Sequence, residues 1–182
     1  MTRRLTSLFL ALAVAALSPG PAAAQLHGPP DTAVLAETGI VFPERLGTFV
    51  RAGVRSVAMG RIDAHYVQPG GGPGSATLDI YVARIGEPLA DEFAETEGTI
   101  RSIYANLEPI RDLPAPAGAP GALGRLWRGN LDGAPVLTGM IISHRNGWRI
   151  KLRATLPAGQ GDAGWAEVDA AIRTFDWNVP RV

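Results

Sequence analysis

The chain has 182 residues, with 17 basic residues balanced by 17 acidic ones, and it contains no cysteine. The lack of cysteine excludes disulfides, thiolate metal ligands and thiol nucleophiles. The balanced charge does not favour a nucleic-acid partner, because nucleic-acid-binding domains are usually strongly basic.

The first 24 residues have the organisation of a secretory signal peptide. Arg3 and Arg4 precede an apolar run over residues 5–17, and the small residues 22–24 follow a Pro/Gly break. The apolar run is shorter than the roughly 18 residues needed to span a bilayer. We therefore predict cleavage after Ala24, a periplasmic or secreted mature chain, and no transmembrane segment within it.

The next part of the chain predicts a short helix followed by strands. Asp31 is a candidate N-cap for a helix over residues 32–38, which Gly39 would end in the left-handed conformation. The Gly-rich stretch 68–75 is predicted to be a flexible loop. Three segments have the composition or the alternation typical of strands: residues 48–58, 61–67 and 76–85.

A longer helix is predicted to open at Pro88, where proline suits the first helical position. Its apolar side chains recur at spacings that place them on one face: Leu89, Phe93, Ile100, Tyr104 and Leu107. Acidic residues Glu92, Glu95 and Glu97 fall on the opposite, solvated face. The Pro-rich stretch 109–121 is predicted to be irregular and exposed.

The last third of the chain predicts a three-stranded meander and a helix. Asp132-Gly133 and Asn146-Gly147 suit tight type I′ turns, which require positive φ at both central residues. They separate strands over residues 123–131, 134–144 and 148–156. Asp162 would cap the final helix, and one apolar stripe is expected on it: Trp165, Val168, Ile172 and Phe175.

This order of elements favours an α+β fold, with an antiparallel sheet of about six strands and helices packed on it. We expect residues 25–47 to form an N-terminal segment containing the short helix. Residues 48–178 are expected to form a single α+β domain.

The C-terminal part of the chain resembles a known group of proteins. Its last strand carries Trp148-Arg149-Ile150-Lys151-Leu152-Arg153 and its final helix ends in Ile172-Arg173-Thr174-Phe175. These features are similar to those of the Mog1/PsbP-like group, which includes many secreted bacterial proteins. The resemblance implies an α/β/α sandwich and a non-catalytic accessory or binding role.

A row of cations on the last strand is the main candidate site. With a two-residue turn at Asn146-Gly147, His144 lies opposite Arg149, and Ile142 opposite Lys151. Met140 then lies opposite Arg153, and residues directly opposite share one sheet face. The three cations therefore share a face with two apolar side chains.

Two interpretations of this face remain open. Charged rows on antiparallel strands are usually solvated, with their stems lying over apolar neighbours. Alternatively, the face is a platform with an apolar floor and a cationic rim that binds a protein partner or an anionic amphiphile. Arg51 and Arg55, on an earlier strand, would extend such a platform.

Catalytic, metal and cofactor sites are poorly supported. Asp63 and His65 lie two apart on a predicted strand, and a third ligand such as His27 or His144 would be needed for metal. Ser143 and His144 point to opposite faces, so they cannot act as nucleophile and base. We predict no catalytic residue, metal or cofactor.

The sequence thus predicts a non-catalytic accessory or binding protein. One alternative is a carrier of a small amphiphilic ligand, with an enclosed apolar cavity between the sheet and the long helix. The other is a hydrolase that uses Asp63 and His65, which would then share a pocket. The sequence does not indicate an oligomeric state.

Overall fold

The computed structural model describes residues 26–27, 32–35, 38–57, 61–70 and 74–179. The predicted signal peptide lies outside these residues. Within them, no helix has both the length and the apolar character needed to cross a membrane.

The described residues form eleven strands, two α-helices and a short 3-10 helix, Ala158–Gln160. The helices are α1, Leu89–Ile103, and α2, Gly161–Thr174. The strands in chain order are β1 Leu26–His27, β2 Thr32–Leu35, β3 Ile40–Pro43, β4 Arg45–Leu46, β5 Phe49–Val57, β6 Arg61–Val67, β7 Thr77–Arg84, β8 Ala105–Asp112, β9 Leu123–Leu131, β10 Ala134–Arg145 and β11 Trp148–Pro157.

The fold is α+β and its main sheet is antiparallel, as predicted. Eight strands pair in the order β4-β5-β6-β7-β11-β10-β9-β8, and β1-β2-β3 form a small second sheet. The main sheet has eight strands rather than about six, because β4 and β8 extend it at its two edges. The strand order places β11 in the middle, between β7 and β10.

Both predicted tight turns are confirmed. Asp132 and Asn146 have φ values of 50° and 47°, and the glycines that follow them have φ values of 82° and 84°. The turn at Asn146 sets the predicted register, with His144 opposite Arg149 and Met140 opposite Arg153.

The main sheet has a hydrophobic cluster on each face, with a helix over each. On one face, α2 and the small sheet cover the larger cluster, whose fully buried members include Phe42, Tyr66, Ile80 and Ile150. On the other face, α1 covers a smaller cluster that includes Ile100, Trp127, Met140 and Ile142. The layers are therefore helix, sheet and helix.

The predicted short helix over residues 32–38 is wrong, because β2 occupies residues 32–35. A seven-residue helix would close few hydrogen bonds and is marginal in isolation. As a strand, the segment pairs Leu35 with Ile40 and buries both in the larger cluster. Gly39 does have a positive φ of 67°, but it lies in the turn between β2 and β3.

Three further boundaries differ from the prediction. Residues 109–112 belong to the edge strand β8 rather than to an irregular segment. An edge tolerates a proline such as Pro109 because one side of the strand needs no partner. Helix α1 ends at Ile103, so Leu107 lies on β8 and contributes to the cluster from there. Asp162 lies within the first turn of α2 and does not cap it, since Gln160 holds the N-cap position.

Candidate functional site

The predicted apolar floor of the cationic face is not accessible. Met140 and Ile142 have no exposed surface, and they pack with Trp127 and Ile100 beneath α1. The sequence places these side chains on the correct face but does not show that α1 covers this half of it. The platform formed by cations and this apolar floor is therefore absent.

Two of the predicted site residues bind the covering helix. Glu92 of α1 is only 3% exposed, and its Oε2 lies 2.6 Å from Nε2 of His144. Arg149 donates a hydrogen bond from Nη1 to Oε1 of the same carboxylate. His144 and Arg149 therefore help to dock α1 on the sheet and are not free for a ligand.

The expectation that the helix glutamates are solvated is correct only for Glu95, which is exposed. Glu92 is buried, and Glu97 is half-buried between Arg101 and Arg125. Helical spacing in fact places Glu92 and Glu97 at the two borders of the apolar stripe, and only Glu95 on the opposite side. Long side chains on the border of that stripe reach back to cations on the sheet.

The other half of the same face is left uncovered by α1 and is polar. It spans β5, β6, β7 and β11, whose side chains form two rows of directly paired positions. The first row is Arg55, Asp63, Tyr81 and Lys151, and the second is Gly53, His65, Asp79 and Arg153. We call these residues, together with Arg61 at the start of β6, the uncovered half-face.

Lys151 occupies an unfavourable position for a cation. Its Nζ lies over the ring of Tyr81, 4.8 Å from the centroid, and this cation–π contact favours the charged ammonium. Burial, and then the neighbouring charges of Arg149, Arg153 and Arg61, lower its pKa from 10.5 to about 8. A bound anion would oppose both effects by favouring the charged ammonium.

Arg55 belongs to this half-face, but Arg51 does not. A β-bulge between Arg51 and Gly53 shifts the register, so that the two arginines emerge on opposite faces of β5. Arg51 lies opposite Tyr66 and donates a hydrogen bond to the carbonyl of Phe42. The prediction that the two arginines extend one surface is therefore wrong.

Asp63 and His65 do share a depression, which has a volume of about 380 Å³. Its lining is Ala52, Gly53, Arg55, Asp63, His65, Asp79 and Tyr81. Nδ1 of His65 lies 2.7 Å from Oδ1 of Asp79. Asp63 pairs with Nε of Arg61 at 3.2 Å and with Nη2 of Arg55 at 4.0 Å.

The charge of the uncovered half-face is net positive. Among the residues described, four cations accompany two carboxylates here, namely Arg55, Arg61, Lys151 and Arg153 against Asp63 and Asp79. Burial, and secondarily the Asp79 carboxylate, raise the pKa of Tyr81, which keeps its phenol neutral. The half-face therefore suits a ligand that brings negative charge.

Metal binding gains no support from the described residues, which contain no group of three or more His, Cys, Asp or Glu side chains able to hold an ion. His144 is engaged by Glu92 on the covered half of the face. The side chain of His27 lies outside what the structure describes.

Sequence reasoning missed Tyr81 and Arg61 as neighbours of the cationic row. The alternation in β7 does place Asp79 and Tyr81 on one face. The sequence does not show that β7 pairs with β11, which brings Tyr81 beside Lys151.

Comparison with known proteins supports the fold alone. No protein-family model and no curated protein matches the chain. A solved structure of a protein of unknown function from Pseudomonas aeruginosa, suggested to be a regulator, is similar with a TM-score of 0.50 and 14% identity. The alignment covers 87% of this chain and 97% of that one. The predicted likeness to the Mog1/PsbP-like group stays a prediction.

Proposed function

We propose that the protein is a secreted or periplasmic, non-catalytic accessory protein that binds an anionic group of its partner on the uncovered half-face. The observation that carries this proposal is the position of Lys151. A half-buried ammonium near three arginines, whose repulsion the Asp63 carboxylate offsets only in part, is stabilised further when an external anion binds beside it. The predicted signal peptide and the resemblance to secreted accessory proteins support the proposed location.

The arrangement of the neighbouring charges supports the same reading. Asp63 is already paired with Arg61 and Arg55, and Asp79 is engaged by His65. Neither carboxylate forms an ion pair with Lys151 or Arg153 among the described residues. These two cations are therefore the groups that an external anion would meet.

The test is an NMR titration of the purified mature protein with four anionic probes: acetate, inorganic phosphate, octanoate and hexaglutamate. We expect shifts confined to the uncovered half-face for at least one probe. Replacing Lys151→Gln and Arg153→Gln together should weaken that binding at least about tenfold, because charge-assisted hydrogen bonds are lost. The control Arg173→Gln removes an exposed charge from α2 and should leave binding unchanged.

Arg149 is unsuitable for this test, because its removal would also leave the buried Glu92 without one of its two partners. Absence of shifts for all four probes at millimolar concentration would overturn the proposal. Equal loss of binding in Arg173→Gln and in the double variant would overturn it too, because the effect would then be one of net charge.

A second candidate function rests on the hydrogen bond between His65 and Asp79. A carboxylate that orients an imidazole is an arrangement that can activate water as a nucleophile. His65 lines the same depression as Asp63, which is what the hydrolase alternative requires. The depression has no Ser or Thr in its described lining, so a hydrolase here would use water directly.

This candidate is tested with p-nitrophenyl acetate and p-nitrophenyl phosphate. A hydrolase predicts turnover that is lost in His65→Gln and retained in Arg173→Gln. Turnover that is equal in wild type and His65→Gln would exclude it.

A further inference from the structure

A groove runs along the sheet from Arg153 to the end of α1. It has a volume of about 300 Å³, at the lower end of the range for small-molecule sites. Arg153 and Thr77 lie at its polar side. The apolar part of its lining comes from the ends of four elements: Tyr104, Leu131, Val136 and Pro157. Leu156 also borders the groove, but its side chain is buried in the larger cluster on the other face of the sheet.

We propose that the anionic ligand is a small amphiphile, with one carboxylate or similar head bound by Arg153 and Lys151 and a short apolar body lying in this groove. The inference rests on the proposed function and names the ligand class for that same half-face. It places the body beside α1 and not in an enclosed cavity beneath it, where Met140 and Ile142 are fully buried.

Three hydroxyl groups beneath the groove are already hydrogen-bonded within the protein. The hydroxyl oxygens of Tyr104 and Thr155 lie 2.8 Å apart. Thr138 lies 3.2 Å from the same Thr155 hydroxyl and donates to the carbonyl of Ala154 at 3.1 Å. Since these hydroxyls bond to one another, an apolar ligand body would leave none of them without a partner.

The head of the ligand is specified by Arg153. Its Nε is buried, and no hydrogen-bond acceptor lies within reach of it among the described residues. Asp79 of β7 lies directly opposite Arg153 of β11 in the strand register, but its carboxylate is engaged by His65. Because the buried Nε is out of reach of a ligand, a carboxylate would bind the two Nη atoms of the guanidinium, from which it can accept two parallel bonds.

The size of the site favours a small molecule over an acidic protein. Stable protein interfaces bury about 800 Å² on each partner and use a central cluster of large side chains. Here Arg153 lines one narrow concave groove, and Lys151 lies two residues away on the same face of β11. One anionic head with a short chain fits this arrangement of charge and apolar surface.

The test is a chain-length series measured by NMR titration: acetate, butanoate, hexanoate and octanoate, each below its micelle-forming concentration. We expect affinity to rise at least about tenfold from acetate to octanoate, because each added methylene is removed from water. Octanol, which lacks the charge, should bind at least about tenfold more weakly than octanoate. Shifts for octanoate should include residues of the groove.

Two variants distinguish the contribution of the anionic head to binding from that of the apolar body. Arg153→Gln should weaken octanoate and acetate by similar factors of about ten or more. Leu131→Asn should weaken octanoate and leave acetate unchanged, because Leu131 lines the groove away from the cations. The chain-length series is measured on the wild-type protein. The proposal can therefore still be tested if either variant fails to fold.

The outcomes distinguish this inference from the proposed function. If acetate and octanoate bind equally on the half-face, the amphiphile is excluded and the anion-binding function stands. The same holds if hexaglutamate binds more tightly than octanoate, which would identify an acidic protein segment as the partner. If none of the anions binds, both proposals fall.

Discussion

Glu92 of α1 and His144 of β10 are joined across the helix-sheet interface, with their Oε2 and Nε2 atoms 2.6 Å apart. Arg149 of β11 completes the group through the other carboxylate oxygen. Because Glu92 is 3% exposed, this is an ion pair withdrawn from water. Glu92 lies in the first turn of the helix that buries Met140 and Ile142.

Replacing Glu92→Gln should destabilise the protein. The change removes the only carboxylate bonded to Arg149 among the described residues, and breaking a buried pair from one side costs about 3 kcal/mol. Urea denaturation measures the change in the free energy of unfolding. Glu95→Gln, on the exposed side of the same helix, should stay within about 0.5 kcal/mol of wild type. Equal stability of the two variants would show that the ion pair does not hold α1.

Lys151 should titrate near pH 8. It is the chain's only lysine, so lysine-selective ¹³C labelling gives one side-chain signal whose pH dependence can be followed directly. The pKa of about 8 follows first from burial and then from nearby arginines. A midpoint close to the ordinary value of 10.5 would show that Lys151 is solvated and would remove the main support for anion binding.

The low pKa also predicts how stability depends on pH. Between about pH 8 and 10.5 the folded protein has lost the Lys151 proton while the unfolded chain keeps it. Stability therefore rises with pH across this window, since the unfolded state binds more protons. The variant Lys151→Met lacks this contribution, so it should be more stable than wild type at pH 7, and its advantage should shrink towards pH 10.5. Parallel stability curves for the two proteins would contradict the assignment.

Anion binding should weaken as pH rises through about 8. A bound anion raises the pKa of Lys151, so binding takes up a proton wherever the free protein has already lost it. Affinity for octanoate should fall by up to about tenfold per pH unit above that point. Calorimetry in two buffers of different ionisation enthalpy would detect the proton uptake. In Lys151→Met, the affinity should be lower and independent of pH across this range.

Gly139 of β10 allows Trp165 of α2 to pack on the sheet. A Cβ added at this glycine would lie 2.1 Å from Cη2 of Trp165, so Gly139→Ala must displace a large buried ring. We expect a loss of roughly 2–3 kcal/mol of unfolding free energy by urea denaturation. Gly98→Ala in α1 meets nothing within 4 Å, and it should instead stabilise the protein by up to about 1 kcal/mol. A neutral Gly139→Ala would mean that α2 can move away from the sheet at little cost.

Local chemistry makes the C-terminal meander predictable from sequence. Asp132-Gly133 and Asn146-Gly147 adopt the positive φ values that tight turns need, and the second turn fixes which residues lie opposite Arg149, Lys151 and Arg153. The faces of β7 follow in the same way from its alternation of side chains. These features depend on residues that are close together in the chain, so they can be predicted from the sequence.

The same reasoning fails where the partner is distant in the chain. The bulge at Arg51 reverses the side chain's face through pairing with β6, and the segment 32–35 becomes a strand because β3 is available to pair with it. Neither effect leaves a clear local signal.

The sequence by itself therefore determined the α+β class, the register of the meander and the common face of the three cations. Only the tertiary structure decided which part of that face is accessible, because helix α1 covers one half of it and leaves the other uncovered. Glu92 binds Arg149 at the helix, while Lys151 and Arg153 lie beside β7, where Arg153 lines a groove. Three cations that alternate identically along one strand thus acquire two different environments, since burial and charge depend on elements more than forty residues away.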